Sequence, residues 1–187
     1  MKFGKTGLIC IEPTFGMGGT CTLGSTFKTA TLANTSGNPS GDMTGVFSRE
    51  TTGYGLFLSN IKDLWYKYSG PVPGPGDLLY FIPVDTNGDG FTDIYAIADA
   101  ATCRGTPNGA GTVYTVNITK DAVCQIDDQV SNTWPNWAAF AAAYPNARTV
   151  SPDFDVYRMF AIVAQRESSD PSATWQILDA KWGAKGR

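Results

Sequence analysis

Short runs of alternating or continuous apolar residues recur along this 187-residue chain, and clusters of glycine, proline, asparagine or aspartate separate them. Alternation predicts a half-buried β-strand, and a short continuous apolar run bounded by turns is typical of a strand covered on both faces. Three prolines within residues 70–76 exclude both a helix and a central strand there. The strands predicted in this way include 45–49, 55–58, 63–68, 77–84, 93–98, 112–118, 157–165 and 174–182.

One segment has the pattern of a helix. Asn132 or Thr133 can cap its start, Pro135 falls in the first turn, where proline is tolerated, and Pro145 ends it. An apolar stripe, expected to pack across the end of a sheet sandwich, consists of Trp134, Trp137, Ala141 and Tyr144, with Phe140 beside them. The pattern therefore predicts a single short helix over about residues 133–144.

The large number of predicted strands, compared with one predicted helix, indicates the fold class. Eight or nine strands with turn signals every 8–12 residues indicate an all-β, antiparallel β-sandwich. We find no internal repeat and no linker, so residues 1–187 are expected to form a single domain. Residues 1–30, rich in glycine and threonine, are a candidate N-terminal arm.

The four cysteines indicate the compartment. No CxxC pair exists and no histidine is present to complete a zinc site, so two local disulfides are expected, Cys10 with Cys21 and Cys103 with Cys124. Four cysteines allow three pairings, and four buried free thiols are the alternative. Disulfides and two N-glycosylation triplets, at Asn34 and Asn117, favour an extracellular or cell-surface protein.

The first 30 residues lack the unbroken apolar run of a secretory signal peptide. We therefore expect either that a presequence has been removed or that the protein is exported by another route. No run of about 18 apolar residues exists, so no membrane span is expected.

Composition excludes several kinds of chemistry. The absence of histidine removes Ser–His–Asp and Cys–His catalysis and any imidazole general base. A net charge of −3 gives no electrostatic footprint for nucleic acid. Carboxylate chemistry, binding of a hard metal through oxygen, or no chemistry at all remain.

The segment DTNGDGFTD, residues 85–93, is the most specific motif in the chain. Asp85, Asn87 and Asp89 occupy positions 1, 3 and 5, Phe91 offers its carbonyl at position 7, and Asp93 stands at position 9. Glycine at position 6 permits the left-handed turn that such a curled loop needs. Oxygen donors at this spacing suit Ca²⁺, whereas Mg²⁺ prefers strict octahedral geometry. The alternative is a metal-free turn rich in Asx and glycine.

This loop resembles the calcium loops of EF-hands, dockerins and thrombospondin-type repeats. It departs from the EF-hand because position 12 is Ala96 instead of a bidentate glutamate, and because its flanks read as strands. The resemblance therefore implies a static site that pins a β-hairpin.

Over residues 45–183 the order of segments looks like that of jelly-roll modules in secreted bacterial proteins, similar to laminin-G-like and carbohydrate-binding domains. The segments that carry this resemblance are TGYGLFLSNIKDLWYKY, DTNGDGFTDIY, TWPNWAAFAAAYPNA, ARTV and WQILDAKWG. The resemblance implies a jelly-roll-like sandwich that binds glycans or acts as a surface module.

Our first functional hypothesis is a calcium-stabilised, non-catalytic module that binds carbohydrate or another surface polymer. Aromatic faces stack on sugar rings, and alternation places Trp65 on the outer face of its strand. Trp175 and Trp182 lie seven residues apart on one strand, so one of them is expected to point outward, and Trp175 joins Trp65 as a candidate ligand residue.

The second hypothesis is a structural subunit of a filament, surface layer or capsid-like assembly. The strand Lys5–Glu12 could then complete the sheet of a neighbouring copy and build a homopolymer.

The third hypothesis, a glycosidase or lyase, is disfavoured. Glu12, Glu50 and Glu167 lie in polar loops or strand ends, and the acidic pairs Asp127–Asp128 and Asp153/Asp155 resemble solvated turns or secondary calcium ligands. We expect no enzymatic activity.

Overall fold

The computed structural model describes residues 7–11, 18–26, 28–34, 42–48, 53–103, 107–108, 112–150, 160–166 and 172–183. These residues form two antiparallel β-sheets that pack face to face, together with two short helices. The prediction of an antiparallel β-sandwich is confirmed, and a second helix joins the expected one. In the described part of the chain, neither helix has the length and apolar character needed to cross a bilayer.

The first sheet contains the strands that flank the Asp85–Asp93 loop. Its members are β1 (Leu8–Cys10), β4 (Asp42–Ser48), β6 (Leu78–Asp85), β7 (Ile94–Asp99), β10 (Ile126–Asp127), β11 (Arg148–Thr149) and β12 (Ala161–Arg166). They lie in the order β1-β4-β12-β6-β7-β10, and β11 pairs with the end of β6. Strands β6 and β7 form a hairpin, in register from Leu79 opposite Asp99 to Val84 opposite Ile94.

The second sheet packs over the first. It consists of β2 (Thr20–Leu23), β3 (Ala30–Asn34), β5 (Leu64–Ser69), β8 (Pro107–Asn108), β9 (Val113–Asn117) and β13 (Ala173–Trp182), in the order β2-β3-β13-β5-β9-β8. Strand β13 carries a bulge between Ile177 and Asp179, where its register against β5 shifts. A bulge inserts one extra residue and reverses the inside–outside alternation beyond it.

Aromatic side chains fill much of the space between the sheets. Tyr66 of β5 and Tyr80 of β6 stack with their ring centroids 5.8 Å apart, and Trp182 lies 5.2 Å from Tyr80. All three are buried. These contacts join the two sheets, because each pair has one member in each layer.

Two disulfides close the sandwich at opposite edges. Cys10 bonds to Cys21 and links β1 to β2, the terminal strands of the two sheets. Cys103, at the end of helix α1 (Ala100–Cys103), bonds to Cys124, which precedes the edge strand β10. The expected pairing is confirmed, and on the chain-entropy account each bond contributes about 3 kcal/mol.

The second helix, α2 (Trp137–Ala143), begins later than the sequence predicts. Its cap is Asn136, whose side chain accepts a hydrogen bond from the amide of Ala139. Pro135 precedes the helix, because its carbonyl accepts a hydrogen bond from the amide of Ile126 in β10. Trp137 is therefore buried in the helix stripe, whereas Trp134, before the helix, is 54% exposed, and its assignment to the stripe was wrong.

Two further expectations change. Residues 55–58 were predicted as a strand, but Phe57 makes only one bridge, to Arg148, and Leu58–Asn60 form a 3₁₀ turn. Within the described residues of the candidate N-terminal arm, β1 and β2 belong to the sandwich. The described part of the candidate donor strand Lys5–Glu12 is already paired with β4 of the same chain, with Leu8 buried.

Candidate functional site: the β6–β7 loop

The loop between β6 and β7 carries the predicted calcium ligands. Gly88 and Gly90 have φ angles of 88° and 86°, in the left-handed region that glycine adopts without strain. The amide of Asp93 donates to the carbonyl of Val84 at 2.9 Å and closes the loop. The chain therefore curls tightly, and alternate side chains face a common interior.

Asp85 holds this curl from inside. Its carboxylate is buried and accepts hydrogen bonds from the amides of Gly88 at 2.6 Å, Gly90 at 2.8 Å and Asn87 at 3.1 Å. An ionised acceptor makes such bonds stronger than a neutral one would. Asp85 consequently fixes the backbone that carries the remaining donors.

Asp93 closes the other side of the loop. Its Oδ2 atom accepts hydrogen bonds from the hydroxyl and the amide of Thr86, at 2.6 and 2.7 Å, and a longer one from the amide of Asn87. The Thr86 hydroxyl bond is the largest of the causes that hold the pKa of Asp93 below its ordinary value. Asp93 therefore stays ionised at neutral pH, as a metal ligand must.

The other oxygens of Asp89 and Asp93 converge on one group. The Asn87 side-chain amide donates to Oδ2 of Asp89 at 3.3 Å and to Oδ1 of Asp93 at 3.1 Å. The Asn87 Oδ1 atom accepts a hydrogen bond from the amide of Asp89 at 2.8 Å. The Asn87 N–H₂ group thus lies between two carboxylate oxygens, at a point where their negative charge favours a cation.

The residues fit a hard cation in kind and in spacing. Three carboxylates, one amide oxygen and one backbone carbonyl are oxygen donors of the kind that Ca²⁺ prefers. In the described part of the chain, however, no group of three or more Asp, Glu or Cys side chains is assembled in a geometry that could hold a metal. A rotation of the Asn87 amide would exchange its nitrogen for an oxygen ligand.

The two tryptophans predicted as ligand residues differ in exposure. Trp65 is half-buried on the outer face of the second sheet, with the Lys67 ammonium 5.4 Å from its ring centroid. Trp175 is fully buried, and its indole nitrogen donates to the carbonyl of Pro71 at 3.0 Å. The expectation that Trp175 or Trp182 points outward was wrong, because the bulge in β13 turns both inward.

Sequence reasoning missed Trp134 as an exposed aromatic. The available signal was Asn136, which follows Pro135 and stands three residues before Ala139, as an N-cap does. Had Asn136 been chosen as the cap, Trp134 would have been placed outside the helix.

The acidic pair Asp127–Asp128 is a turn. Asp128 is buried and accepts hydrogen bonds from Val130, Ser131 and Tyr144. Five of the other acidic residues considered for catalysis lie outside the described residues: Glu12, Glu50, Asp153, Asp155 and Glu167. The Asn34 triplet is centred on a buried asparagine, which is closed to a glycan in the folded chain.

Comparison with protein families identifies the segment that contains the loop. Residues 83–116 match the FG-GAP repeat. This FG-GAP segment runs from the end of β6 through the loop and β7 into β9, and FG-GAP repeats are often linked to calcium binding. The match supports neither a laminin-G nor a dockerin assignment.

The chain has no significant match among curated proteins or solved structures. The two disulfides together with the FG-GAP segment indicate a secreted or extracellular protein.

Proposed function

We propose that this protein is an extracellular, non-catalytic β-sandwich module that binds one Ca²⁺ ion in its FG-GAP segment and a carbohydrate or surface polymer on its exterior. The calcium ligands are Asp85, Asn87, Asp89, Asp93 and the carbonyl of Phe91. One observation carries the calcium assignment: Asp89 and Asp93 direct an oxygen each toward the same Asn87 amide.

Charge explains why a cation stabilises this loop. Three carboxylates within nine residues repel one another, and the neutral donors that hydrogen-bond to Asp89 and Asp93 leave the negative charge of these two exposed side chains in place. A divalent ion offsets most of this charge and joins the end of β6 to the start of β7. Its function is structural, because the flanking elements are paired strands and not movable helices.

Support for carbohydrate binding comes from the outer face of the second sheet. Trp65 stands opposite Asn117 of β9 and Lys181 of β13. An aromatic ring flanked by hydrogen-bonding side chains suits a sugar, because C–H bonds stack on the ring while hydroxyls reach the polar neighbours.

Calcium titration calorimetry and thermal melting test the metal site. We expect binding to the wild-type protein and none to Asp89→Ala. At 100 times the dissociation constant, calcium should add about 2.7 kcal/mol of stability, or a melting shift of roughly 5–10 °C. Asp121→Ala is the matched control, since Asp121 also accepts an amide hydrogen bond in a turn, from Val123. Identical melting curves with calcium and with EDTA would refute the site.

A glycan array tests the carbohydrate surface. Trp65→Ala should lose binding of a glycan held on that face of the second sheet, while Trp134→Ala should keep it. Hydrolysis of polysaccharides in a broad activity screen would overturn the non-catalytic assignment.

The alternative of a filament or surface-layer subunit is tested by electron microscopy of the purified protein. Donation of the Lys5–Glu12 strand would require β1 to leave β4 and its disulfide partner to follow. Filaments in the micrographs would displace the glycan-binding proposal.

A further inference from the structure

A cleft of about 670 Å³ lies beside the calcium loop. One wall is the loop itself, from Asp85 to Gly90. The opposite wall consists of Gly55, Phe57, Asn146, Arg148, Thr149 and Val150. The volume lies within the range of small-ligand sites in proteins, and both walls expose polar groups.

Arg148 is the one charged side chain of the second wall. Its guanidinium lies over the Phe57 ring, 3.9 Å from the centroid. In the ladder of β11 and β6, Arg148 stands directly opposite Asp85. Cross-strand neighbours of opposite charge commonly pair, but the Asp85 carboxylate is already engaged by three amides of its own loop.

The guanidinium therefore keeps its donors available. Among the described residues, no salt bridge or hydrogen bond from the Arg148 guanidinium reaches another group, and the side chain is exposed. Its contact with the Phe57 ring restricts the orientation of the guanidinium. An oriented fork with unused donors matches a carboxylate in geometry.

The wall that carries Arg148 is held rigidly. The amide of Gly55 donates to the carbonyl of Thr149 at 2.8 Å, and the amide of Thr149 donates to the carbonyl of Leu56 at 2.9 Å. On the other side, the amide of Val150 donates to the carbonyl of Pro83 at 3.1 Å. Because both edges of β11 are hydrogen-bonded, ligand binding costs little conformational entropy in this wall.

We infer that this cleft binds a carboxylate-bearing saccharide, with the Arg148 guanidinium receiving the carboxylate and Asn146, Thr86 and Asn87 reaching the ring hydroxyls. The inference rests on the proposed function, since the calcium loop is one wall of the cleft, and it adds a carbohydrate site separate from the Trp65 face of the second sheet. It places the anionic part of the ligand at Arg148 and its neutral part along the loop.

Calcium is required for this binding. Without the ion, Asp85 in the lining and Asp89 and Asp93 elsewhere in the same loop give this side of the cleft a negative charge that opposes an anionic ligand. With the ion, that wall loses most of its negative charge, and its exposed amide and hydroxyl groups can accept and donate hydrogen bonds to a sugar. Binding of the saccharide and binding of calcium are therefore coupled, and each strengthens the other.

An acidic peptide is the competing ligand class, and the cleft disfavours it. Peptides commonly bind by adding a strand to a free sheet edge, but β11 is bonded to β6 on one edge and to residues 55–57 on the other. The small polar side chains and glycine backbone of the lining suit the closely spaced hydroxyls of a sugar.

The test is calorimetry on the full chain with a tetrasaccharide of alternating glucuronate and N-acetylglucosamine, in calcium and in EDTA. We expect binding in calcium only, and no binding of the methyl ester of the same tetrasaccharide. Arg148→Gln should weaken binding roughly 10- to 100-fold, and Arg148→Lys by less, because lysine keeps the charge and loses the fork. Lys28→Gln removes an equal charge from an exposed turn outside the cleft and should change nothing.

A calcium titration of each variant separates this inference from the proposed function. If calcium binds the wild-type protein and Arg148→Gln alike, but the tetrasaccharide binds neither or binds both equally, the inference is overturned while the calcium site stands. If calcium itself fails to bind, the proposed function falls. Equal affinity for the methyl ester, or binding of a hexa-aspartate peptide in place of the tetrasaccharide, also overturns the inference.

Discussion

Two acidic loops of this protein look alike in sequence and differ in how their carboxylates are satisfied. In the turn that follows β10, Asp128 is buried and accepts hydrogen bonds from two amides, the Ser131 hydroxyl and the Tyr144 hydroxyl. In the β6–β7 loop, Asp89 and Asp93 are exposed and share one amide group of Asn87.

The difference separates a structural carboxylate from a metal-binding one. A single acid whose oxygens are met by protein donors needs no cation and stabilises its turn by itself. Several carboxylates that direct oxygens to the same point favour binding of a cation there. One neutral side-chain amide offsets their negative charge only weakly. We propose a metal in the β6–β7 loop for this reason and none in the Asp128 turn.

Truncation of Asp128 should have the largest effect on stability. Asp128→Ala leaves the amides of Val130 and Ser131 and the hydroxyl of Tyr144 without their acceptor, so we expect a loss of about 3 kcal/mol. Urea denaturation should show the same loss with calcium and with EDTA. Asp127→Ala is the control. It removes only the hydrogen bond that Asp127 accepts from the Gln129 amide, so it should lower the free energy of unfolding by less than about 1 kcal/mol. A calcium-dependent loss in Asp128→Ala would erase the distinction between the loops.

Acid should destabilise both loops, and calcium should reveal which one binds metal. Burial acts to raise the pKa of Asp128, but its hydrogen bonds from Ser131, Val130 and Tyr144 outweigh it and hold the pKa below its ordinary value. A carboxyl whose pKa is lower in the folded state contributes its full stability above about pH 4 and loses it as the pH falls through the folded-state pKa.

The measurement is the unfolding midpoint against pH, with calcium and with EDTA. Asp128→Asn should reduce the loss of stability in acid, and the reduction should be the same with calcium and with EDTA. The increment added by calcium should itself be lost as the pH falls through the folded-state pKa of Asp93, which lies below its ordinary value, because protons compete with the metal for that carboxylate. If Asp128→Asn abolished that increment, the metal would belong to the other loop.

Substitutions that change backbone strain should have the smallest effects on stability, and these effects should also differ between the two loops. Gly90 has a φ of 86° with open space around the position of a Cβ atom, so Gly90→Ala should cost only the left-handed strain, about 1 kcal/mol. Gln129 in the Asp128 turn already adopts a φ of 60°. Gln129→Gly should change stability by less than about 0.5 kcal/mol, because relief of strain is offset by greater freedom of the unfolded chain. A cost of several kcal/mol at Gly90, measured in urea, would mean that its surroundings are tighter than the structure shows.

Local patterns predicted the β6–β7 hairpin well. The apolar runs 77–84 and 93–98 correspond to β6 and β7, and the eight residues between the two observed strands, 86–93, form the curled loop. The pattern is reliable here because both strands are neighbours in the chain, so pairing, turn and glycine positions are all encoded within about 20 residues. The same locality explains why both disulfides, which close short loops, were paired correctly.

Predictions failed where a distant contact overrides a local preference. The hydrogen bond from Ile126 to Pro135 keeps the chain extended before α2, so the helix starts at Trp137 and leaves Trp134 exposed. The bulge in β13 reverses its alternation and buries both Trp175 and Trp182. Asn136 was the one local signal for the later helix start, and the residues around the bulge carry no comparable signal for it.

By itself, the sequence indicated the β-sandwich class, the local cysteine pairs and the residues proposed as oxygen donors, because each depends on residue type and short spacing. Only the tertiary structure decided which aromatic rings face outward and that Arg148 lies across a cleft from the β6–β7 loop. Those placements depend on strands that are far apart in the chain and meet only when the sheets pack, so no local pattern contains them.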